Sequence, residues 1–262
     1  MKLALIGGKL SHSYSAVIHD LFFKMTGISG SYDLIEIPSP IMLAEKLDYF
    51  EKNEFRGINI TIPYKTDILS HVDVISDEVK KLKAVNTILF RGGSRYAHNT
   101  DYFGFKRTLE MNNISPKGSK WLVLGYGGGA KSVIAALRDM GASDVLIAST
   151  SQKGPGFITY DEIKQLTDFS GVVNTTPLGM YPDIGMCPVG RDDFGKFKTA
   201  VDIVYNPLKT RFLQIASEEG LETVSGLYML VAQAIKAQEI WNNREFGDDI
   251  INDIYREVGK KL

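Results

Sequence analysis

A glycine-rich turn at residues 125–130 constrains the fold more than any other part of the sequence. It reads Gly-Tyr-Gly-Gly-Gly-Ala and fits the pattern G-x-G-x-x-G/A. The apolar segment 120–124 precedes it and predicts a buried strand, and residues 131–140 have the spacing of an amphipathic helix. A strand, such a turn and a helix are typical of a Rossmann-type, doubly wound domain that binds a dinucleotide.

Each small residue of the turn has a physical role in this hypothesis. Gly125 would permit the tight turn, Gly127 would let the backbone approach a pyrophosphate, and Ala130 would let the helix pack closely on the strand. Gly128 and Gly129 complete the turn, and the helix that follows would offer its free N–H groups to the phosphates. A turn with a purely structural role is the alternative.

The same residues permit a second interpretation. Residues 125–132 differ at one position from the P-loop pattern G-x-x-x-x-G-K-[ST], which binds a nucleoside triphosphate and its magnesium. Ala130 stands where the P-loop has a glycine, and Asp202, after an apolar run, would be the partner of the metal. The pattern leaves both interpretations open.

The end of the next strand, 144–148, bears on which cofactor is preferred. An NAD-binding domain usually places Asp or Glu there to hold the ribose hydroxyls. The sequence has no acid at this point, and Ser149, Thr150 and Lys153 would instead donate hydrogen bonds to a 2′-phosphate. NADP is therefore favoured over NAD, and a solvated polar loop is the alternative.

The remaining pattern predicts two α/β domains with mostly parallel sheets, because a strand–turn–helix order begins at the N-terminus and begins again at residue 120. Residues 112–118 form the polar stretch between the two. The predicted strands are 3–6, 32–37, 57–62, a hairpin of 85–90 and 95–97, 120–124, 144–148, 171–174 and 199–204. The predicted helices are 15–25, 41–50, 131–140 and most of the chain from 227 onward.

Polar residues surround the end of the strand at 57–62. Asn59, Thr61 and Lys65 lie where ligands bind in open α/β sheets, at the carboxyl end of a strand. Asp101, after the hairpin, would pair with Lys65 and hold its ammonium near a reacting oxygen. From spacing alone, an exposed lysine is the more ordinary interpretation.

A cluster of hydroxyl residues follows the first strand. Ser15 predicts an N-cap, and the hydroxyl groups of Ser13 and Ser15 near a helix start also suit a carboxylate ligand. His12 has no second histidine near it, and we predict no metal site.

Composition excludes several classes of protein. With 44% hydrophobic and 23% charged residues, the 262-residue chain is long and apolar enough for an ordinary globular core. The formal net charge of −1, without long basic blocks, argues against binding to nucleic acid or a membrane surface. Cys187 is the single cysteine, so no disulfide forms within the chain. A short first strand rather than a signal peptide at the N-terminus predicts a cytoplasmic protein.

These segments together resemble the shikimate dehydrogenase family, in the right order and over most of the chain. The matching segments are the serine motif 12–15, N-I-T-I-P-Y-K at 59–65, A-V-N-T at 84–87, N-T-D at 99–101, N-T-T-P-L-G-M at 174–180, V-D-I-V-Y at 201–205, and 226–233.

The resemblance implies roles for individual residues. Lys65 would be catalytic, with Asp101 as its partner. The residues implied to bind substrate are Ser13 and Ser15 (at the carboxylate), Asn59, Thr61, Asn86 (at a ring hydroxyl), Tyr205 and Gln233. Thr175, Pro177 and Gly226 would join the glycine turn in binding the cofactor.

The resemblance also implies an architecture and a reaction. Residues 1–101 and 227–262 would form the substrate domain, and 102–226 an inserted Rossmann domain, with the active site in a cleft that closes. NADPH would reduce the C3 ketone of 3-dehydroshikimate to shikimate, in the biosynthesis of chorismate and aromatic amino acids. The assembly would be a monomer or a homodimer.

Three departures from the family pattern keep alternatives open. Ala148-Ser149-Thr150 replaces the usual N-R-T motif, and the helix expected between Thr150 and Asp161 is missing, so NAD or dual cofactor use is an alternative. Tyr14 and Ala16 stand where the family often has Lys and Pro. A quinate/shikimate dehydrogenase and a non-catalytic binder of similar acids are the other hypotheses. Retention of both serines favours shikimate over quinate, and retention of both members of the Lys/Asp pair favours an enzyme over a binder.

Overall fold

The computed structural model describes residues 1–11 and 13–262, so the prediction made for His12 lies outside the described residues. The chain divides into two compact units. The first comprises Met1–Phe103 and Val231–Val258, and the second comprises Gly104–Leu230 and Gly259–Leu262. Each unit has its own six-stranded sheet.

The chain up to residue 111 alternates strands and helices. The elements are β1 Lys2–Gly7, α1 Ser15–Thr26, β2 Ser31–Glu36, α2 Leu43–Lys52, β3 Phe55–Ile60, β4 Val74–Ile75, α3 Asp77–Leu82, β5 Thr87–Arg91, β6 Ser94–His98 and α4 Thr100–Met111. Short 3-10 helices occupy Pro40–Met42 and Asp67–His71.

The rest of the chain continues the alternation and then becomes helical. The elements are β7 Lys120–Leu124, α5 Gly128–Asp139, β8 Asp144–Ala148, β9 Phe157–Ile158, β10 Phe169–Asn174, β11 Thr199–Asp202, α6 Arg211–Glu218, β12 Glu222–Val224, α7 Leu227–Asn242 and α8 Asp248–Gly259. Two more 3-10 helices occupy Asp161–Gln165 and Arg191–Lys196.

The sheet of the first unit is mixed, with strand order β2-β1-β3-β5-β6-β4. β1 pairs in parallel with β2 and β3, and β4 pairs in parallel with β6. The predicted hairpin is confirmed: β5 is antiparallel to β3 and to β6, and Gly92 and Gly93 make its turn with φ of 59° and 74°. The prediction of a mostly parallel sheet with one hairpin therefore holds for this unit: three strand pairs are parallel, and the two antiparallel pairs are those of β5.

The sheet of the second unit is parallel throughout, with strand order β12-β11-β10-β7-β8-β9. This is the doubly wound, Rossmann-type arrangement that the glycine turn predicts. β7 and β8 have the predicted bounds because both are short, buried apolar runs with polar or glycine residues on either side.

Each sheet is packed against its own core. In the first unit, Leu47 and Phe50 of α2 lie against Ile6, Ile58 and Ile88 of the strands, and all five are fully buried. A second core joins Leu122, Val172 and Ala200 of the strands to Phe194 and Phe212. Burial of such side chains contributes roughly 1.5–3 kcal/mol each, which fixes the strand ends that carry the polar residues. Over the described residues, the chain has no helix that is both long and apolar enough to span a bilayer.

Two local predictions need correction, and a third is confirmed. Ser15 is not the N-cap of α1: Tyr14 holds that position, and Ser15 is the first helical residue. The strand predicted at 199–204 ends at Asp202, because the carboxylate of Asp202 accepts a hydrogen bond from the N–H of Val204 and turns the backbone there. The prediction that most of the chain from 227 onward is helical is confirmed by α7 and α8, and Asn243, whose φ is 49°, ends α7.

Candidate active site

The end of β3 approaches the end of β1 closely. The N–H of Thr61 donates to the carbonyl of Ile6 at 2.9 Å, and the N–H of Tyr64 donates to the carbonyl of Thr61 at 3.0 Å. A Cβ atom at Gly7 would lie 2.5 Å from Cγ2 of Thr61, so a glycine is required at the end of β1. This turn sets the backbone position from which Lys65 extends.

Lys65 and Asp101 form an ion pair at a partly buried position. Nζ of Lys65 lies 2.6 Å from Oδ2 of Asp101, and the two side chains are 15% and 10% exposed. Asp101 is in the first turn of α4, where the helix dipole favours a negative charge. The pairing expected from the sequence is present, across 36 residues of chain.

Asn86 joins the second carboxylate oxygen of Asp101 to the start of α4. Its Nδ2 donates to Oδ1 of Asp101 and to Oγ1 of Thr100, both at 2.9 Å. Its Oδ1 accepts from the N–H of Thr100 at 2.7 Å. Gln233 on α7 completes the cluster, because its Oε1 accepts from Thr100 Oγ1 at 3.2 Å and lies 3.4 Å from Asn86 Nδ2.

Asn59 is buried, and both its polar atoms bind other residues of the first unit. Its Oδ1 accepts from the hydroxyl of Tyr32 at 2.7 Å. Its Nδ2 donates to Oγ1 of Thr87 at 2.9 Å and to the carbonyl of Asn86 at 3.1 Å. These bonds place Asn59 behind Asn86 as a support for it.

The two serines of the hydroxyl cluster lie at the start of α1. Oγ of Ser13 accepts from the N–H of Ser15 at 3.3 Å, which makes a serine turn immediately before the helix. Ser15 is not the cap because it is already the first residue of the helix. Ser15 is 7% exposed.

In the second unit the glycine turn has the geometry that dinucleotide binding requires. Gly125 has φ of 90°, which favours glycine, and a Cβ there would lie 2.9 Å from Cγ2 of Thr176. Gly127 is the N-cap of α5, and a Cβ on it would meet no atom of the described residues within 4 Å. Since Gly127 has no side chain, no side-chain hydrogen bond caps the first N–H groups of α5.

The glycine turn therefore fits the pyrophosphate of a dinucleotide, which needs open space, free N–H groups and a helix N-terminus. Gly128 is the first residue of α5, and the fully buried Ala130 lets the helix approach the sheet. A Cβ at Gly129 would lie 3.0 Å from Cδ1 of Ile203.

The loop after β8 is short and returns to the sheet. Oγ of Ser149 accepts from the N–H groups of Ser151 at 3.2 Å and Gln152 at 3.0 Å, and Ser149 is 7% exposed. Thr150 and Lys153 are exposed. Of the three residues expected to meet a 2′-phosphate, these two extend into solvent, whereas Ser149 shapes the loop.

Comparison with known proteins identifies the family. The family model for the substrate-binding domain of shikimate dehydrogenase matches residues 5–88. The NADP(+)-dependent shikimate dehydrogenase of Clostridium perfringens (strain ATCC 13124) is 41% identical over 270 residues, covering 98% of each chain. The chain belongs to the shikimate dehydrogenase family.

Solved structures of the shikimate dehydrogenase family share the fold. A chorismate mutase/shikimate 5-dehydrogenase fusion protein from Clostridium acetobutylicum superposes with a TM-score of 0.95 at 38% identity, covering 100% of this chain and 98% of that one. Shikimate 5-dehydrogenase from Thermus thermophilus, solved with NADP(H) and shikimate, gives 0.84 at 31% identity, covering 98% and 99%. The two-sheet α/β fold expected from the resemblance is confirmed.

The remaining predicted residues of this shikimate dehydrogenase lie in the second unit. Oγ1 of Thr175 donates to the carbonyl of Leu124 at 2.6 Å and so joins the ends of β10 and β7. Pro177 is exposed, and Tyr205 follows β11 at a half-buried position. Gly226 is required by packing, since a Cβ there would lie 2.2 Å from the carbonyl oxygen of Ile203.

Asp202 is not placed to hold a metal, as the P-loop interpretation would need. It is fully buried, and its oxygens accept hydrogen bonds from Asn174 Nδ2 at 3.1 Å, Val204 N–H at 2.9 Å and Thr210 Oγ1 at 2.6 Å. Burial raises the pKa of Asp202 to about 6, although these three hydrogen bonds act to lower it. Its position indicates a structural role at the ends of β10 and β11.

Sequence reasoning missed several polar residues of the site. Tyr32, Thr87 and Thr100 all hydrogen-bond to members of the predicted set. Tyr32 lies in a strand, where tyrosine is common for packing reasons alone, so composition gave no signal for it. Thr87 ends the A-V-N-T segment, and its position next to Asn86 was the available signal. Thr100 stands inside the N-T-D segment, and its position next to Asp101 was the available signal.

Proposed function

We propose that Lys65 and Asp101 are the catalytic pair of this NADP-dependent shikimate dehydrogenase. The observation that carries the proposal is the 2.6 Å ion pair itself, at the carboxyl end of β3, with Asn86 bonded to the other oxygen of Asp101. A lysine held in this way presents a fixed ammonium donor to a reacting oxygen.

In the direction of reduction, 3-dehydroshikimate becomes shikimate, and the nicotinamide supplies the hydride to C3. Lys65 donates a hydrogen bond and then a proton to the oxygen that becomes the C3 hydroxyl. In the direction of oxidation, the same nitrogen accepts that proton. Asp101 occupies one of the three donor positions of the ammonium, which leaves the others for substrate.

The other predicted residues orient the substrate ring. Ser13 and Ser15 bind its carboxylate at the start of α1, with the N-terminal turn of the helix nearby. Thr61, Asn86 and Gln233 bind ring oxygens, and Asn59 supports Asn86. Tyr205, from the second unit, is the remaining substrate contact that we propose.

The cofactor binds to the second unit in this proposal. The glycine turn holds the pyrophosphate, with Thr175, Pro177 and Gly226 near the nicotinamide half of the molecule. Thr150 and Lys153 meet the 2′-phosphate of NADP. Because these two replace a bidentate arginine, the preference for NADP over NAD is weaker than an arginine clamp would give.

We also propose the domain roles and the cellular setting. The first unit binds the substrate and the second binds the cofactor, in the order implied by the family resemblance. The enzyme acts in the cytoplasm, in the biosynthesis of chorismate and aromatic amino acids, as a monomer or a homodimer. Neither nucleic acid nor membrane is a partner.

The test is the change in nicotinamide absorbance when shikimate or quinate is mixed with NADP+ or NAD+. We expect turnover of shikimate with both cofactors and a higher kcat/KM with NADP+. Turnover of quinate at a similar kcat/KM would establish the alternative of a quinate/shikimate dehydrogenase with dual cofactor use. No turnover with any of the four pairs would contradict the catalytic proposal and favour a non-catalytic binder.

A further inference from the structure

A chain of hydrogen bonds runs through the first unit from Tyr32 on β2 to the carboxylate of Asp101. The Tyr32 hydroxyl donates to Oδ1 of Asn59 at 2.7 Å, and Nδ2 of Asn59 donates to Oγ1 of Thr87 at 2.9 Å. The Thr87 hydroxyl donates to Oδ1 of Asn86 at 3.1 Å, and Nδ2 of Asn86 donates to Oδ1 of Asp101 at 2.9 Å. We call these four bonds the Tyr32 chain.

The direction of the Tyr32 chain is fixed by backbone groups. Nδ2 of Asn59 also donates to the carbonyl of Asn86 at 3.1 Å, and a carbonyl oxygen can only accept. The Asn59 amide therefore keeps Oδ1 toward Tyr32, whose hydroxyl must be the donor. The N–H of Thr100 fixes the Asn86 amide in the same way, at 2.7 Å from Oδ1. Every donor then points toward Asp101, and hydrogen bonds aligned in this way strengthen one another.

The ring of Tyr32 is held in place by buried neighbours. It stacks on His19 with ring centroids 3.8 Å apart, and Trp241 lies 6.5 Å from it. His19 Nδ1 is 2.8 Å from Nε2 of Gln238 on α7. Burial raises the pKa of Tyr32 well above its usual range and lowers the pKa of His19 to about 3. The phenol therefore remains a donor and the imidazole remains neutral.

We propose that Tyr32 is a positioning residue for the reaction, acting through Asn59, Thr87 and Asn86 on the carboxylate that holds Lys65. The proposal rests on the catalytic roles given above to Lys65 and Asp101. Tyr32 does not touch the reacting atoms, since three side chains separate it from Asp101. Without the hydroxyl, the buried Asn59 loses the 2.7 Å hydrogen bond that holds its Oδ1 toward β2. The Asn59 amide then shifts and takes both the backbone carbonyl and the side chain of Asn86 with it.

The experiment uses Tyr32→Phe and Thr87→Val, which interrupt the chain at its start and middle. Each is expected to lower kcat for shikimate oxidation by about tenfold, because a small displacement of a catalytic group is costly. The dissociation constant for NADP+ should not change. The double variant should be no slower than the slower single variant, because two breaks in one chain are not independent.

Thr108→Val is the matched control: Thr108 is 1% exposed and its hydroxyl donates to the carbonyl of Gly104, so kcat should stay at the wild-type value.

The outcomes separate this proposal from the proposed function. Wild-type turnover of shikimate is measured first, and its absence would overturn the catalytic assignment together with the Tyr32 chain. If the wild type is active and Tyr32→Phe keeps the wild-type kcat, with only a lower Tm, Tyr32 has a structural role and the proposal is overturned. Multiplicative loss of kcat in the double variant would likewise overturn it.

Discussion

The two units of this shikimate dehydrogenase prepare their sites in opposite ways. In the first unit, polar side chains bind one another in a continuous network of Asn59, Thr87, Asn86, Asp101 and Lys65. In the second unit, the glycine turn offers open space at the Cβ position of Gly127, and no side-chain hydrogen bond caps the start of α5. The unit that we propose for chemistry therefore fixes side-chain positions, whereas the unit that we propose for cofactor binding leaves room for the ligand.

The largest expected effect comes from Lys65→Met, which removes the ammonium but keeps most of the side-chain volume. We expect kcat to fall by about 10³-fold, within the usual range for loss of a general acid or base. Steady-state kinetics with shikimate and NADP+ measure it. Lys80→Met is the control, because Lys80 forms an exposed pair with Asp77 in the same unit and should have no role in turnover. An equal loss of kcat in the two variants would contradict a specific role for Lys65 in turnover.

A second large effect is expected from Asp202→Asn, on stability rather than on chemistry. The pKa of Asp202 rises from 3.8 to about 6 on folding, so protonation stabilises the folded state below pH 4, and this stabilisation is lost as pH rises through about 6. The difference in the free energy of unfolding between wild type and variant should shift against the wild type by about 2 kcal/mol between pH 4 and pH 7.

Urea denaturation at pH 4, 5.5 and 7 measures this difference. Asparagine has the same shape and does not titrate, so a difference that stays constant over this range would contradict the assigned burial effect. Asp192→Asn, at an exposed position of the same unit, serves as the control and should behave like the wild type.

Gly127→Ala sharpens the contrast by testing the open space directly. A Cβ at this position meets no described atom within 4 Å, and φ of −91° suits alanine, so the variant should fold normally. We expect the dissociation constant for NADP+ to rise about tenfold, because the methyl group occupies the space through which the backbone approaches the pyrophosphate. Fluorescence titration measures it. Gly195→Ala, also in open space in the second unit, is the control, and equal affinities of the two variants would refute the assignment.

The smallest effect is expected from Lys153→Ala. Lys153 is exposed, and a single flexible ammonium contributes less to phosphate binding than an arginine fork. We expect KM for NADP+ to rise about threefold, as for one solvent-exposed charge contact, with no change in KM for NAD+. Lys164→Ala, exposed in the same unit, is the control. A parallel change for both cofactors would show that Lys153 does not meet the 2′-phosphate.

Elements of the fold were predictable where the local sequence alone determines them. β7 and β8 were predicted with their bounds because each is an apolar run with clear breaks on both sides. The two-residue strands β4 and β9 were missed, since each exists only through pairing with a neighbour. The helix α6 was also missed, although its N-cap, Thr210, accepts from the N–H of Leu213 as a threonine cap should.

The residues of the site show the same difference between local sequence signals and tertiary pairing. Lys65 and Asp101 were expected as a pair from the polar residues that follow two predicted strands, and the family resemblance then implied their catalytic role. Tyr32 and Thr87 were not expected, because a hydroxyl in a strand becomes a supporting group only when the sheet brings a partner opposite it. Local signals predict elements, and tertiary pairing decides which polar groups meet.

The most direct test of the division between the two units is a titration of NADP+ into the Lys65→Met enzyme, followed by fluorescence. The account predicts a dissociation constant within about twofold of the wild-type value, because an active-site lysine of the first unit should act in chemistry and not in cofactor binding. A dissociation constant raised as far as in Gly127→Ala would contradict it, because the loss of turnover would then follow from lost cofactor and not from a lost proton donor.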